Sequence, residues 1–153
     1  MKSQMIIPIM AILLWSCGGS NQSQEQEAEA PESPVAEAVE EKVDPKVFFK
    51  YPEDGAIVGS PVYVEMGVEG MEIEPAGAVK EGFGHHHILI NQTHWPLGEV
   101  IPMSDTTLHY GKGQTDTSLE LEPGEYTLTL QFADGVHASF GEPMAASIKV
   151  TVE

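Results

Sequence analysis

The chain has 153 residues and a formal net charge of −17, set by 24 acidic against 7 basic residues, every one of the latter a lysine. That balance excludes nucleic acid as a partner, because such binding rests on Lys and Arg neutralising phosphates. It fits solubility and attraction of cations without specifying a client. The single cysteine, Cys17, excludes an intrachain disulfide and leaves the region after it without a thiol nucleophile or thiolate ligand.

Residues 1–16 open with Lys2, continue through an apolar stretch from Met5 to Leu14 and end in Leu14-Trp15-Ser16 before Cys17. A positive start, an apolar segment too short for a permanent span and a small residue before the cut read as an export signal. Ending in Leu-x-Ser-Cys, it resembles the bacterial lipoprotein type, with Trp15 bulkier than the residue usual at that place. The resemblance implies that Cys17 carries lipid. The expected location is therefore the bacterial cell envelope, anchored to a membrane through the N-terminal lipid, on an outer-membrane, periplasmic or cell-surface face. Residues 17–45 are rich in Gly, Ser, Gln, Ala, Pro and Glu, including Glu25, Glu27, Glu29, Glu37, Glu40 and Glu41. Too little apolar area is available there to offset ordering entropy, so an acidic, disordered tether is expected.

Residues 46–153 form one domain in which period-two alternation dominates. Val62, Val64, Met66 and Val68 alternate with polar or small neighbours, as do Tyr126, Leu128, Leu130 and Phe132, and Ile148, Val150 and Val152. Each run predicts a strand with one buried face. Shorter strands are expected over Val47–Tyr51, His86–Ile90, Thr106–Tyr110 and Ser118–Leu121. Turn chemistry separates them at Pro52-Glu53-Asp54-Gly55, Pro75-Ala76-Gly77, Glu122-Pro123-Gly124 and Asp134-Gly135. No stretch carries a sustained helical period. The expected fold is all-β, an immunoglobulin-like antiparallel β-sandwich. Tyr126, just after Glu122-Pro123-Gly124, resembles the tyrosine corner that opens a late strand of such sandwiches, which implies a hydroxyl bonded to backbone. The longest connections, Glu69–Gly84 and Asn91–Ser104, flank the histidine strand, and loops of that length are commonly functional.

The densest chemistry is His85-His86-His87, between a glycine turn and the apolar run Ile88-Leu89-Ile90, with His94, His109 and His137 elsewhere. Neutral imidazole is the commonest ligand for borderline transition metals. In an extended strand His85, His87 and Leu89 share one face, while His86, Ile88 and Ile90 share the other. His85 and His87, with roots roughly 6–7 Å apart, suit a chelating pair. His86 reads either as a structural, hydrogen-bonded histidine or as an alternate ligand. His109 faces opposite to Leu108 and Tyr110, His137 opposite to Val136 and Ala138, and both are placed to join the same rim. His94 lies in a loop and reads as solvated. Glu81, Asp116, Asp134 and Glu142 are carboxylates available to orient imidazoles. Met66, Met71, Met103 and Met144 read as packing residues rather than thioether donors. Gly111-Lys112-Gly113-Gln114-Thr115 lacks the spacing of a phosphate loop and reads as a turn.

From about Val47 to Val152 the sequence resembles the bacterial domain of unknown function 4399. The residues that carry the resemblance are Gly84-His85-His86-His87-Ile88-Leu89-Ile90, Gly98-Glu99-Val100-Ile101-Pro102, His109-Tyr110-Gly111-Lys112-Gly113-Gln114-Thr115, Thr127-Leu128-Thr129-Leu130-Gln131 and Asp134-Gly135-Val136-His137. It implies an exported β-rich domain without an assigned activity, and its motifs include His85 to His87, His109 and His137 but not His94. Three functions are expected in descending order. The first is a non-catalytic module binding copper or zinc through His85, His87, His109 and His137, with His86 in support, for an unknown metal client. The second is an envelope interaction module for a protein or glycan, built on Phe83, Trp95, Tyr110 and the long loops. The third is an open three-histidine zinc site activating water, with Glu81 or Glu99 as base.

Overall fold

The computed structural model describes residues 43–153. The expected signal peptide, the lipidation site Cys17 and the tether up to residue 42 lie outside the described residues, and Val43 to Pro45 are exposed and irregular. The domain is all-β and its first strand is β1 (Lys46–Tyr51). It continues through β2 (Ala56–Val58), β3 (Val62–Glu69), β4 (Glu72–Ile73), β5 (Phe83–Ile90), β6 (Thr107–His109), β7 (Asp116–Leu119) and β8 (Gly124–Ala133). A short 3-10 turn (Glu142–Met144) then precedes β9 (Ala145–Val152). The expected strand over 106–110 is thus cut to three residues, while β2 and β4 have no counterpart in the period-two reading because they are too short to show a period.

Two sheets face each other, one ordered β1-β3-β7 and the other β2-β9-β8-β5-β4, with β6 also pairing β5. Most pairings are antiparallel, as expected, but β2 runs parallel to β9 and β4 parallel to β5. The order is that of an immunoglobulin-like sandwich. Tyr126 donates from its hydroxyl to the Glu122 carbonyl at 3.0 Å, the expected tyrosine corner at the start of β8. Between the sheets, Val47, Val62, Val64, Met66 and Leu119 from one side meet Ile88, Ile90, Leu128, Leu130, Phe132, Val150 and Val152 from the other. Such burial, at roughly 25 cal/mol per Å² of apolar surface, is the main driving force of the fold.

The second sheet is also covered on its outer face. The 91–106 connection folds back over β5 and β8, burying Leu89, Ala133 and Ile101 against Trp95 in a second, smaller core. Gln131, on β8, fastens this cover from beneath. Its side chain accepts from the Trp95 amide at 2.8 Å and donates to the carbonyls of Gly141 at 3.0 Å and Met144 at 3.1 Å. Ser139 adds a second tie, donating from its hydroxyl to the Trp95 carbonyl at 3.0 Å and from its amide to the Glu99 carbonyl at 2.9 Å. A polar side chain on a sheet face is tolerated in the dry only when its groups are paired, and here they are.

Candidate metal centre

The alternation of β5 divides its histidines as the strand geometry demands. His85 and His87 emerge on the covered outer face beside Leu89. Across from β5, β8 sets Ala133 opposite His85 and Gln131 opposite His87, while β6 sets His109 opposite His87. A directly opposed cross-strand pair is close enough for rings to meet, and the His87 and His109 ring centres are 5.1 Å apart. His109 has room because residue 111 is glycine; a Cβ there would collide with the His109 ring.

His137 arrives from the connection after β8. The Asp134 carboxylate accepts from the amides of Val136 and Ala138, each at 2.9 Å, and the His137 amide donates to the Asp134 carbonyl at 3.0 Å. This turn holds His137 at a φ of 72°, a left-handed conformation that residues other than glycine seldom adopt. The covering loop secures it from the other side, since the Ile101 amide donates to the His137 carbonyl at 3.0 Å. The Asp134 carboxylate thus closes the turn that carries His137 rather than bonding an imidazole directly, as was expected of it.

The four rings converge. Nε2 of His85 lies 3.1 Å from Nε2 of His87, and Nε2 of His109 lies 3.1 Å from Nε2 of His137. All six ring-centre separations fall between 4.6 and 5.9 Å. His85, His109 and His137 each present a ring nitrogen within 4.8 Å of the others, a group of three that can hold a metal ion, and His87 adjoins it through its Nε2 contact with His85. His85 and His87 are fully buried, while His109 and His137 are half-buried and form the solvent side of the cluster.

The electrostatics favour neutral rings. Burial first, then the neighbouring His109 and His137, push His85 down to about 4, with Asp134 opposing. Burial pushes His87 down to about 3, with His85, His109, His137 and His86 adding to it. His109 is lowered too, by burial and then His137. Neutral imidazole has one ring proton, so in each facing Nε2 pair only one nitrogen can donate to the other. The Nδ1 atoms of His85 and His87 are buried with no hydrogen-bond partner.

His86 is the correction to the expected ligand set. It sits on the inner face of β5, its ring 5.1 Å from that of Phe132, with neither ring nitrogen bonded. It is fully buried in the sandwich core and held neutral, at about 4, chiefly by burial. Facing away from the cluster, it is no ligand, and the hydrogen bonds expected of a structural histidine are missing as well. His94 is exposed in the covering loop and stands apart from the cluster. Of the methionines, Met66 and Met144 are core, Met71 packs against it and Met103 is exposed. The 111–115 segment is a turn, with Gln114 accepting from the Lys112 amide at 2.8 Å. The roles of Gln131 and Ser139 in fastening the cover and of Gly111 in making room for His109 were not foreseen from the sequence. Gln131 offered no signal, since alternation puts it with Thr127 and Thr129 on the polar face of the strand.

No curated protein and no solved structure matches the chain. Residues 64–153 match the family described as Domain of unknown function (DUF4399). These residues run from the middle of β3 to the C-terminus and contain all four clustered histidines, as the sequence resemblance implied. The chain belongs to the DUF4399 family.

Proposed function

We propose that this domain is a non-catalytic metal-binding module of the bacterial cell envelope, lipid-anchored through Cys17, which takes up copper or zinc on the Nε2 atoms of His85, His87, His109 and His137. One observation carries the reading: four imidazoles from three separate segments meet with every pair of ring centres within 5.9 Å. A zinc–nitrogen bond of about 2.0 Å places tetrahedral ligand nitrogens about 3.3 Å apart, close to both Nε2 pairs. The chemistry of the donor set agrees, since neutral imidazole suits zinc and copper and burial keeps these rings neutral. Coordination through Nε2 leaves the ring proton on Nδ1, and the Nδ1 atoms of His85 and His87 are buried without a partner, a cost of about 1–3 kcal/mol each that the roughly 10–16 kcal/mol of a structural zinc site exceeds. The export-type N-terminus and the acidic tether support the envelope location.

Calorimetric titration of the metal-stripped protein with Zn(II) and Cu(II) tests the reading. Dissociation constants in the micromolar range or below are expected. Affinity weaker than about millimolar, or affinity indifferent to joint His85→Ala and His87→Ala substitution, rejects it.

A second reading, an envelope interaction surface, has one observation in its favour. The covering loop exposes Leu97, Val100 and Met103, with relative accessibilities of 75%, 61% and 78%. The aromatic trio expected to build such a surface does not, because Tyr110 is core, Trp95 packs under the cover and the Lys80 ammonium sits 3.3 Å over the ring of half-buried Phe83. Capture of the same envelope component with and without chelator separates the two readings.

A further inference from the structure

Six separations among four rings define the shape of a coordination polyhedron. In a tetrahedron all six are equal, whereas in a square plane four are short and two are long. With a metal–nitrogen bond of about 2.0 Å and about 1.15 Å from nitrogen to ring centre, a tetrahedron puts every pair of centres about 5.1 Å apart. A square plane puts four pairs about 4.5 Å apart and both opposite pairs about 6.3 Å apart. The observed values are 4.6 Å for His109–His137, 4.9 Å for His85–His87, 5.0 Å for His85–His109, 5.1 Å for His85–His137 and His87–His109, and 5.9 Å for His87–His137. The longest separation would be one diagonal of a plane, yet the other diagonal, His85–His109, is only 5.0 Å.

The scaffold resists flattening. His85 and His87 are fixed on the same face of β5, which is bonded to β8 along six consecutive pairs. His109 is held opposite His87 by the β5–β6 pairing. His137 is fixed by the Asp134 turn beneath it and by the Ile101 amide on its carbonyl. The backbone positions are therefore set, and the rings can flatten only by rotating about χ1 and χ2 within a cluster where His85 and His87 are fully buried.

We infer that the cluster is a tetrahedral centre suited to Zn(II), at which Cu(II) binds only against its own preferred geometry and so loses most of its usual advantage. The inference rests on the metal-binding function proposed above and concerns which ion that site takes. Zn(II), a d10 ion, accepts a tetrahedron without ligand-field penalty, whereas Cu(II) favours tetragonal arrangements. The usual advantage of Cu(II) over Zn(II) at nitrogen ligands is therefore reduced here by geometry. With His87 as the fourth ligand beside the three-histidine group, no position is left for a water molecule, the mark of a centre that holds its ion rather than using it for hydrolysis.

The test titrates Co(II), whose visible absorption reports its coordination, into the full-length metal-stripped protein, then competes Zn(II) against Cu(II). Expected are the intense bands of tetrahedral Co(II), a preference for Cu(II) over Zn(II) below about a hundredfold, and loss of band intensity in His87→Gln as water enters. Binding with only the weak bands of six-coordinate Co(II), a larger Cu(II) preference, or a His87→Gln spectrum equal to that of the parent overturns the tetrahedral zinc centre and leaves metal binding itself standing. Failure of all three ions to bind overturns both.

Discussion

On its inner face β5 places His86 among the side chains of the sandwich core; on its outer face it places His85 and His87 under a loop. All three imidazoles are fully buried and all three are depressed by burial. They differ in company. His86 meets the Phe132 ring, whereas His85 and His87 meet each other, His109 and His137. Burial alone therefore does not make a histidine a ligand. What distinguishes the outer face is that three segments converge there on one point, each fixed by its own backbone bonds.

Substitution can break this comparison. The largest effect is expected from His85→Ala combined with His87→Ala, which removes half of the donor set; the affinity for Zn(II) should fall by about a thousandfold or more by calorimetry, or about 4 kcal/mol. A fall of less than tenfold would show that the outer face is no more a site than the inner one.

Acid comes next. The metal-free protein holds His85 and His86 neutral down to about 4 and His87 down to about 3, against an ordinary 6.5. Below pH 6.5 the unfolded chain takes up protons on these rings while the folded one does not. Stability in chelator should therefore be at its full value above pH 6.5 and fall as the pH drops toward 4. Urea midpoints at about pH 7.5 and about pH 5 measure it, and an unchanged midpoint would mean that the rings protonate within the fold.

Gly111→Ala sharpens the comparison on the outer face alone. A methyl at 111 pushes on the His109 ring, so the Zn(II) affinity should fall about ten- to a hundredfold, as when the groups that position a ligand are lost. Equal affinity would show that His109 has slack. The smallest effect is expected from His86→Leu. Replacing an unpaired buried polar group by an apolar one of similar size should leave thermal stability at pH 7 equal or higher, with Zn(II) affinity within about twofold. A large loss of affinity would tie the two faces together.

Much of the fold was legible in the chain, and for a local reason. Alternation in 62–68, 126–132 and 148–152 marks strands because one face of each must be apolar, and Glu122-Pro123-Gly124 before Tyr126 marks a tyrosine corner because the motif is contiguous. The same alternation separated His86 from His85 and His87. The short β2 and β4, with their parallel pairings, left no period to read. The cover over the outer face was equally hidden, since Gln131 binds the backbone of Trp95, Gly141 and Met144 through bonds that no local pattern encodes.

By itself, then, the sequence determined the strands, the facing of β5 and the supply of imidazole, all of which depend on neighbours one or two residues away. Only the tertiary structure decided that His109 and His137 close on His85 and His87 within a few ångströms, and that His86 does not join them. Such convergence depends on the register of β5 against β6 and β8, relations between residues 18 to 48 positions apart that packing of the whole sandwich sets; the local turn closed by Asp134 then presents His137 to them.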